Sequence, residues 1–366
     1  ICYIGPMRTG YADLPLHGGR APRWLFSRMS RLARSIVELV VLEYGTAGLL
    51  ERVSDPGWFQ ALGCVLGFDW HSSGLTTTTC GAIKDGIRGE EEDLGLFAAG
   101  GKGATSRKTP DEIASWGERT GIEADPLIYA SRTSAKVDSA AVQDGYQIYH
   151  HSFLFDREGR WAVIQQGMNE DTGMARRYHW LSTRLADFVC EPHAAVCCDA
   201  RAPSLNLVAR ESEPARRATS ELSRERPERL VSELAGLKRL ELPRRHAVLI
   251  SDISPERLRR IFVKTYEVKP EDFCTLLGIS GVGGKTIRAL SLVAELVYGS
   301  APSFEDPARY SFAHGGKDGI PYPVDRPLYD DTILILDRAI RRSKLNKTEE
   351  ISALRRMERV FGRPVD

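Results

Sequence analysis

From residue 22 to about residue 53, apolar residues return at steps of three and four: Trp24, Leu25, Met29, Leu32, Ile36, Leu39 and Val40, with arginines between them. That spacing puts one apolar stripe along a helix. Ser54-Asp55-Pro56-Gly57 breaks the pattern and starts another helix, over 58–65, apolar enough to be buried. Thr109-Pro110-Asp111-Glu112 is a further helix start, with a cap, a proline at the first position and acids in the first turn. A helix is predicted between 131 and 151, carrying Arg132, Lys136, Asp138 and Asp144. The runs 152–155 and 161–165 read as strands, and Asp156-Arg157-Glu158-Gly159-Arg160 between them is a hairpin signal. Two more short apolar runs lie at 194–198 and 205–209. Past Ser254 the pattern is helical, with loops at 280–285 and 300–323. The predicted fold class is α+β: a mixed N-terminal domain with short antiparallel strands, then an all-helical C-terminal domain.

The length of 366 residues fits about two domains. From 211 to 245 the composition shifts to Arg, Glu, Ser and Pro. Three parts are therefore expected: an α+β domain over 7–210 as the catalytic part, an exposed connector over 211–245, and a helical domain over 246–366. The net charge of +1 hides basic clusters at Arg216-Arg217, Arg224 to Arg229, Arg244-Arg245 and Arg341-Arg342. That distribution fits a chain that meets nucleic acid on one face. Interleaved Glu225, Glu228 and Glu233 leave solvated helix faces as the alternative. The start, Ile1 to Pro6, is too short and uncharged for an export signal, and Met7 is expected to be the true start. No apolar run approaches a membrane span. Seven cysteines without an export signal fit free thiols in a reducing cytoplasm.

The sharpest motif is Leu276-Leu277-Gly278-Ile279-Ser280-Gly281-Val282-Gly283-Gly284-Lys285-Thr286, which reads as a helix-hairpin-helix. Gly281 and Gly283 are expected at positive φ in the turn. The unpaired amides at Gly284, Lys285 and Thr286 would face a phosphate at the positive end of the second helix. The bland alternative is a glycine-rich turn between helices. A second phosphate cradle is conceivable at 99–108, where Gly100-Gly101-Lys102-Gly103 precedes Arg107 and Lys108. It lacks the ending of a nucleotide-binding P-loop, and a mobile loop is the alternative.

Four stretches carry a family resemblance: residues 7–22 (Met7-Arg8-Thr9-Gly10-Tyr11 onward), residues 61–74 (with Phe68-Asp69-Trp70-His71), Gln143-Asp144-Gly145-Tyr146-Gln147, and residues 310–319 (with Ala313-His314-Gly315-Gly316). They resemble the bacterial and archaeal family catalogued as domain of unknown function 763. The resemblance covers nearly the whole chain from Met7 and implies no particular activity. The C-terminal part is also similar to DNA repair glycosylases named for their helix-hairpin-helix, Gly/Pro-rich loop and aspartate. That likeness implies Lys285 as a nucleophile on the sugar C1′ and Asp325 as the carboxylate that steadies the developing charge. Such chemistry needs no cofactor. The spacing from Lys285 to Asp325 is longer than in most members of that superfamily.

A competing site is Lys136, Asp138, Asp144, Gln147, His150 and His151, with Asp69 and His71. If 131–151 is one helix, Lys136, Asp144, Gln147 and His151 share a face. Carboxylates there would hold Mg²⁺ or Mn²⁺ for phosphodiester cleavage, and Gln165-Gln166 would line the same cleft. A plain polar helix face is the alternative. His193 with Cys197 and Cys198 is a weak metal set, because no CxxC pair completes it. The expected function is nucleic-acid binding, on DNA or RNA, by a repair glycosylase/lyase or a nuclease; a non-catalytic scaffold that anchors protein partners is the other reading.

Overall fold

The computed structural model describes residues 22–68, 73–198, 201–237, 254–308, 326–342 and 347–361. Its helices are α1 (Arg23–Ser54), α2 (Pro56–Leu66), α3 (Gly74–Gly86), α4 (Glu91–Leu94), α5 (Thr109–Thr120), α6 (Ala124–Lys136), α7 (Glu213–Leu222), α8 (Pro227–Leu237), α9 (Pro255–Val268), α10 (Phe273–Gly278), α11 (Gly284–Tyr298), α12 (Arg326–Arg342) and α13 (Lys347–Phe361). Its strands are β1 (Leu96–Lys102), β2 (Val142–Gln143), β3 (Gln147–Asp156), β4 (Trp161–Asn169), β5 (Met174–Leu181), β6 (Ala195–Cys197) and β7 (Leu205–Asn206). The fold is α+β, with an antiparallel five-stranded sheet in the order β1-β3-β4-β5-β6 and a small β2-β7 pair.

Strand alternation sends side chains to two separate cores. Phe97, Phe153, Phe155, Val163, Tyr178 and Trp180 face one helical layer, which includes residues of α5 to α11. Leu96, Ala98, Leu154, Ala162, Ile164 and Leu181 face the other, built from α1 to α3 with α12 and α13. The sheet is the middle of a three-layer sandwich. The cores explain the helix signals. Met29, Leu32, Ile36, Val37 and Val40 of α1 are buried in the second core. Asp55 caps α2 by accepting from the Trp58 amide at 2.7 Å, with Pro56 beside it. Every residue of α2 is buried, as its apolar run predicted.

The β3–β4 hairpin forms where the sequence signalled it, with Phe155 opposite Trp161. The Asp156 carboxylate closes the turn by accepting from the Glu158 and Arg160 amides and from the Arg160 guanidinium.

Three expectations change. The stretch 131–151 is not one helix. After α6 the chain makes a π-turn at Val137–Ala141 and enters β2, so His150 and His151 lie on β3. The β-branched and aromatic content after Tyr146 favours a strand over helix continuation. The described part of 211–245 is not an exposed linker. Ala215, Arg216, Thr219 and Leu222 on α7, and Leu230 and Leu234 on α8, are buried. Their spacing is amphipathic, which the Arg/Glu content had masked. Finally, the buried clusters do not divide at 245, a position outside the described residues. Helices α9 to α11 share the core of one sheet face, whereas α12 and α13 pack on the other.

Candidate functional site

An open cleft of about 810 Å³ runs along α6, between the turn at Gly103–Lys108 and the α10–α11 hairpin. Arg107, Arg132 and Lys136 line it, with Asp125 as the one acid among its lining residues. Tyr129 stands on the wall with its ring about half exposed, at 53%. Its hydroxyl lies 3.2 Å from the Cys274 sulfur of α10, and its ring meets Phe188 edge-on at 5.5 Å. Those contacts hold the ring in place with the rest of it facing the cleft. Leu277 and Gly278 of α10 close the far side.

The hairpin is docked onto α6 and the π-turn. Lys136 Nζ donates to the Val282 carbonyl at 2.5 Å. Gln143 Nε2 donates to the Gly284 carbonyl at 2.9 Å, and Gln143 accepts from Arg288 at 2.7 Å. Half-burial shifts Lys136 downward from the ordinary lysine range.

At the floor of the cleft, Ser131 and His151 begin a buried chain of hydrogen bonds. Ser131 Oγ is 2.9 Å from His151 Nε2. His151 Nδ1 is 3.0 Å from Gln165 Oε1. Gln165 Nε2 donates to Asp138 Oδ2 at 2.5 Å and to the Ser134 carbonyl at 3.3 Å. Asp138 also accepts from Trp180 Nε1 at 2.9 Å and from His193 Nε2 at 2.5 Å. Burial lowers the His151 pKa, against a smaller opposing pull from Gln165 and Asp138.

A second buried set lies on the same sheet face. Asp144 accepts from Arg176 at 2.8 Å and from the Tyr178 hydroxyl at 2.7 Å, and Arg176 also reaches Asp306 at 2.7 Å. Burial raises the Asp144 pKa, with Arg176 opposing it.

The structure sorts the sequence candidates. Lys136, His151 and Arg107 reach the cleft lining, while Asp138 lies behind it. Asp144 belongs to the Arg176 set. His150, next to His151, faces the opposite core, with no hydrogen-bond partner for either ring nitrogen among the described residues. Burial, helped by His151 and Lys102, pushes its pKa down to about 3. The Lys136–Asp138–Asp144–His150–His151 constellation is therefore dispersed, because strand alternation replaces the helical face. Both carboxylates are committed to protein donors. Among the described residues no cluster of His, Cys, Asp and Glu has the geometry to hold a metal ion, so these side chains do not fit Mg²⁺ or Mn²⁺. His193 is held by Asp138, not by Cys197 or Cys198.

The two glycine-rich segments also change. Gly281 has φ +95, as the turn requires, but Gly283 is extended at φ −145. Gly283 is therefore not the left-handed position. Lys285 is exposed and outside the cleft lining. Asp325, Asp69 and His71 lie outside the described residues. At 99–108 the glycines belong to an edge strand followed by a short turn. The Gly100 amide donates to Glu112 at 2.7 Å, and Lys84 bridges Glu112 and the Gly100 carbonyl. That amide is not offered to a phosphate. Gly100 is needed for close packing, since a Cβ there would sit 2.2 Å from the His151 carbonyl oxygen. Lys102 and Lys108 are exposed but do not line the cleft.

Ser131, Tyr129 and the bridging role of Gln165 escaped the sequence reading. The signal for Gln165 was present: strict alternation from His151 through Phe153 to Phe155, paired with 161–165, sets His151 and Gln165 on one face.

Residues 10–324 match the family described as protein of unknown function DUF763, and the chain belongs to that family. No curated protein and no solved structure matches it. Among the described residues no helix is long and apolar enough to cross a membrane.

Proposed function

We propose that this member of the DUF763 family binds a single nucleic-acid strand, DNA or RNA, in the α6 cleft. The carrying observation is the pairing of three cations, Arg107, Arg132 and Lys136, with the half-exposed Tyr129 ring in one open cleft. Cations along a groove track the phosphate backbone, and an aromatic face stacks on bases whatever their sequence. Arg107 and Arg132 are exposed on the cleft lining, where their guanidinium donors can reach phosphate. Lys285, exposed on the first turn of α11, is a further cation outside the cleft lining. Thr286 is buried with its amide bonded to the Gly283 carbonyl, so the α11 amide end adds no phosphate site through it.

The Lys285–Asp325 glycosylase pairing is the repair-enzyme variant of this reading. Only Lys285 of that pair is described, and it stands away from the cleft.

The test is fluorescence anisotropy with a labelled oligothymidylate, titrated with salt. For three phosphate contacts the logarithmic salt slope should be about −2, so affinity should fall about 20-fold between roughly 50 and 200 mM salt. Arg107→Gln with Arg132→Gln should flatten the slope by about 1.4. Wild-type affinity in the double variant would remove the cleft as the binding surface. Borohydride trapping that depends on Lys285, on abasic DNA, would instead move the active centre to the hairpin.

A further inference from the structure

We propose that Ser131 is the nucleophile of a phosphoryl-transfer reaction in the cleft, with His151 as its general base and a phosphodiester as substrate. The proposal rests on the cleft being the strand-binding site and adds the chemistry performed there.

The geometry fixes every proton in the chain. Gln165 Nε2 faces two acceptors, the Asp138 carboxylate and the Ser134 carbonyl. Its amide oxygen is therefore the atom that meets His151 Nδ1. An oxygen there only accepts, so Nδ1 carries the ring proton. Nε2 is left with its lone pair, and the Ser131 hydroxyl must donate to it across 2.9 Å. This is the arrangement of an activated hydroxyl: nucleophile, base, and a third group that orients the base. Asp138 locks that third group. It holds Gln165 in one orientation and is itself pinned by Trp180 and His193. The low His151 pKa keeps the ring neutral and ready to accept a proton at neutral pH. Asp138, one hydrogen bond further on, favours the imidazolium once it forms. Arg107, Arg132 and Lys136 line the same space and are placed to stabilise the charge that gathers on phosphate oxygens in the transition state.

The step balances without a metal or an oxidant. The Ser131 proton passes to His151 Nε2 as the Oγ–P bond forms. The bond from phosphorus to the leaving sugar oxygen breaks, and that oxygen takes the proton from His151. Water then attacks the phosphoserine, giving a proton to His151, and Ser131 recovers it as its bond to phosphorus breaks. The net reaction is hydrolysis of one phosphodiester.

The experiment uses the full chain, in EDTA, with two probes: a biotinylated fluorophosphonate and an end-labelled oligothymidylate of about 16 nucleotides. Mass spectrometry should place the fluorophosphonate on Ser131. The labelling rate should fall as pH drops and His151 is protonated. Ser131→Ala should remove the label. His151→Asn and His151→Gln should slow labelling about 100-fold or more. All three variants should bind the oligonucleotide within about threefold of wild type, because phosphate contacts are untouched. Circular dichroism identifies any variant that fails to fold, and the wild-type pH profile is independent of the variants. Oligonucleotide binding without labelling or strand cleavage overturns the nucleophile and leaves the cleft reading standing. Labelling of Ser131 without oligonucleotide binding overturns the cleft reading and the phosphodiester substrate together. Labelling at another residue, or at wild-type rate in the His151 variants, also overturns the proposal.

Discussion

His150 and His151 are neighbours on β3, yet strand geometry sends them into different layers. His151 has a partner on each ring nitrogen and lies at the floor of an open cleft. His150 is sealed beneath α1 to α3, with neither nitrogen partnered among the described residues. The contrast lies between these two rings rather than between whole layers, because on the far face Arg177 is also paired, with His179, Gln60 and Thr76. On the cleft side, polar groups form matched sets: Ser131–His151–Gln165–Asp138–His193, and Asp144–Arg176–Asp306 with Tyr178. A buried polar group that is fully paired specifies orientation, whereas an unpaired one contributes only its desolvation cost. The comparison predicts that polar-to-apolar changes are severe within a paired buried set and tolerated at His150.

The largest effect should come from Arg176→Leu. It leaves Asp144 and Asp306 buried without their cation and should cost about 3–5 kcal/mol in urea unfolding. A loss below about 1 kcal/mol would mean the set is solvated. The mirror change, His150→Leu, should be neutral or stabilising by about 1–2 kcal/mol at pH 7, because no partner is lost.

Acid should expose the same contrast. The unfolded chain protonates this ring near pH 6.5, and the folded chain only near pH 3. The contribution of His150 to stability is therefore complete above pH 6.5 and is lost as pH falls towards 3. At pH 5 the loss is about 2 kcal/mol relative to pH 7. The wild type should fall behind His150→Leu by that amount across the interval, and parallel curves would show that His150 protonates freely in the folded state.

Smaller effects separate the two hairpin glycines. Gly281→Val strains a backbone at φ +95 and brings a Cβ to 2.8 Å from Ile261 Cδ1, so it should cost about 1–3 kcal/mol. Gly283→Ala meets nothing within 4 Å in an extended backbone and should be close to silent. Equal losses at both positions would contradict the turn geometry.

Much of the fold was legible locally. The Asp55-Pro56 cap, the α1 stripe and the 156–160 turn are signals carried by a few adjacent residues. The site was legible only in fragments. His151 and Lys136 were visible as chemistry-bearing residues, but a helical period was imposed where the chain changes to period two, so the wrong partners were joined. Ser131 carried no sequence signal of its own. It becomes a candidate because α6 crosses the sheet above His151, a long-range contact that no local pattern encodes. The α7 and α8 faces were hidden by composition, since arginine and glutamate fill the positions between the buried ones.

Tyr129 gives the most direct test of the central claim, that the α6 cleft holds a nucleic-acid strand. An oligonucleotide carrying 5-iodouracil, irradiated in complex with the full chain, cross-links to aromatic rings on which its bases stack. Peptide mapping should place the cross-link on Tyr129, and Tyr129→Leu should remove it while weakening binding by about 1–3 kcal/mol. Cross-links confined to Tyr266 or Tyr298, exposed aromatics outside the cleft lining, would contradict the account.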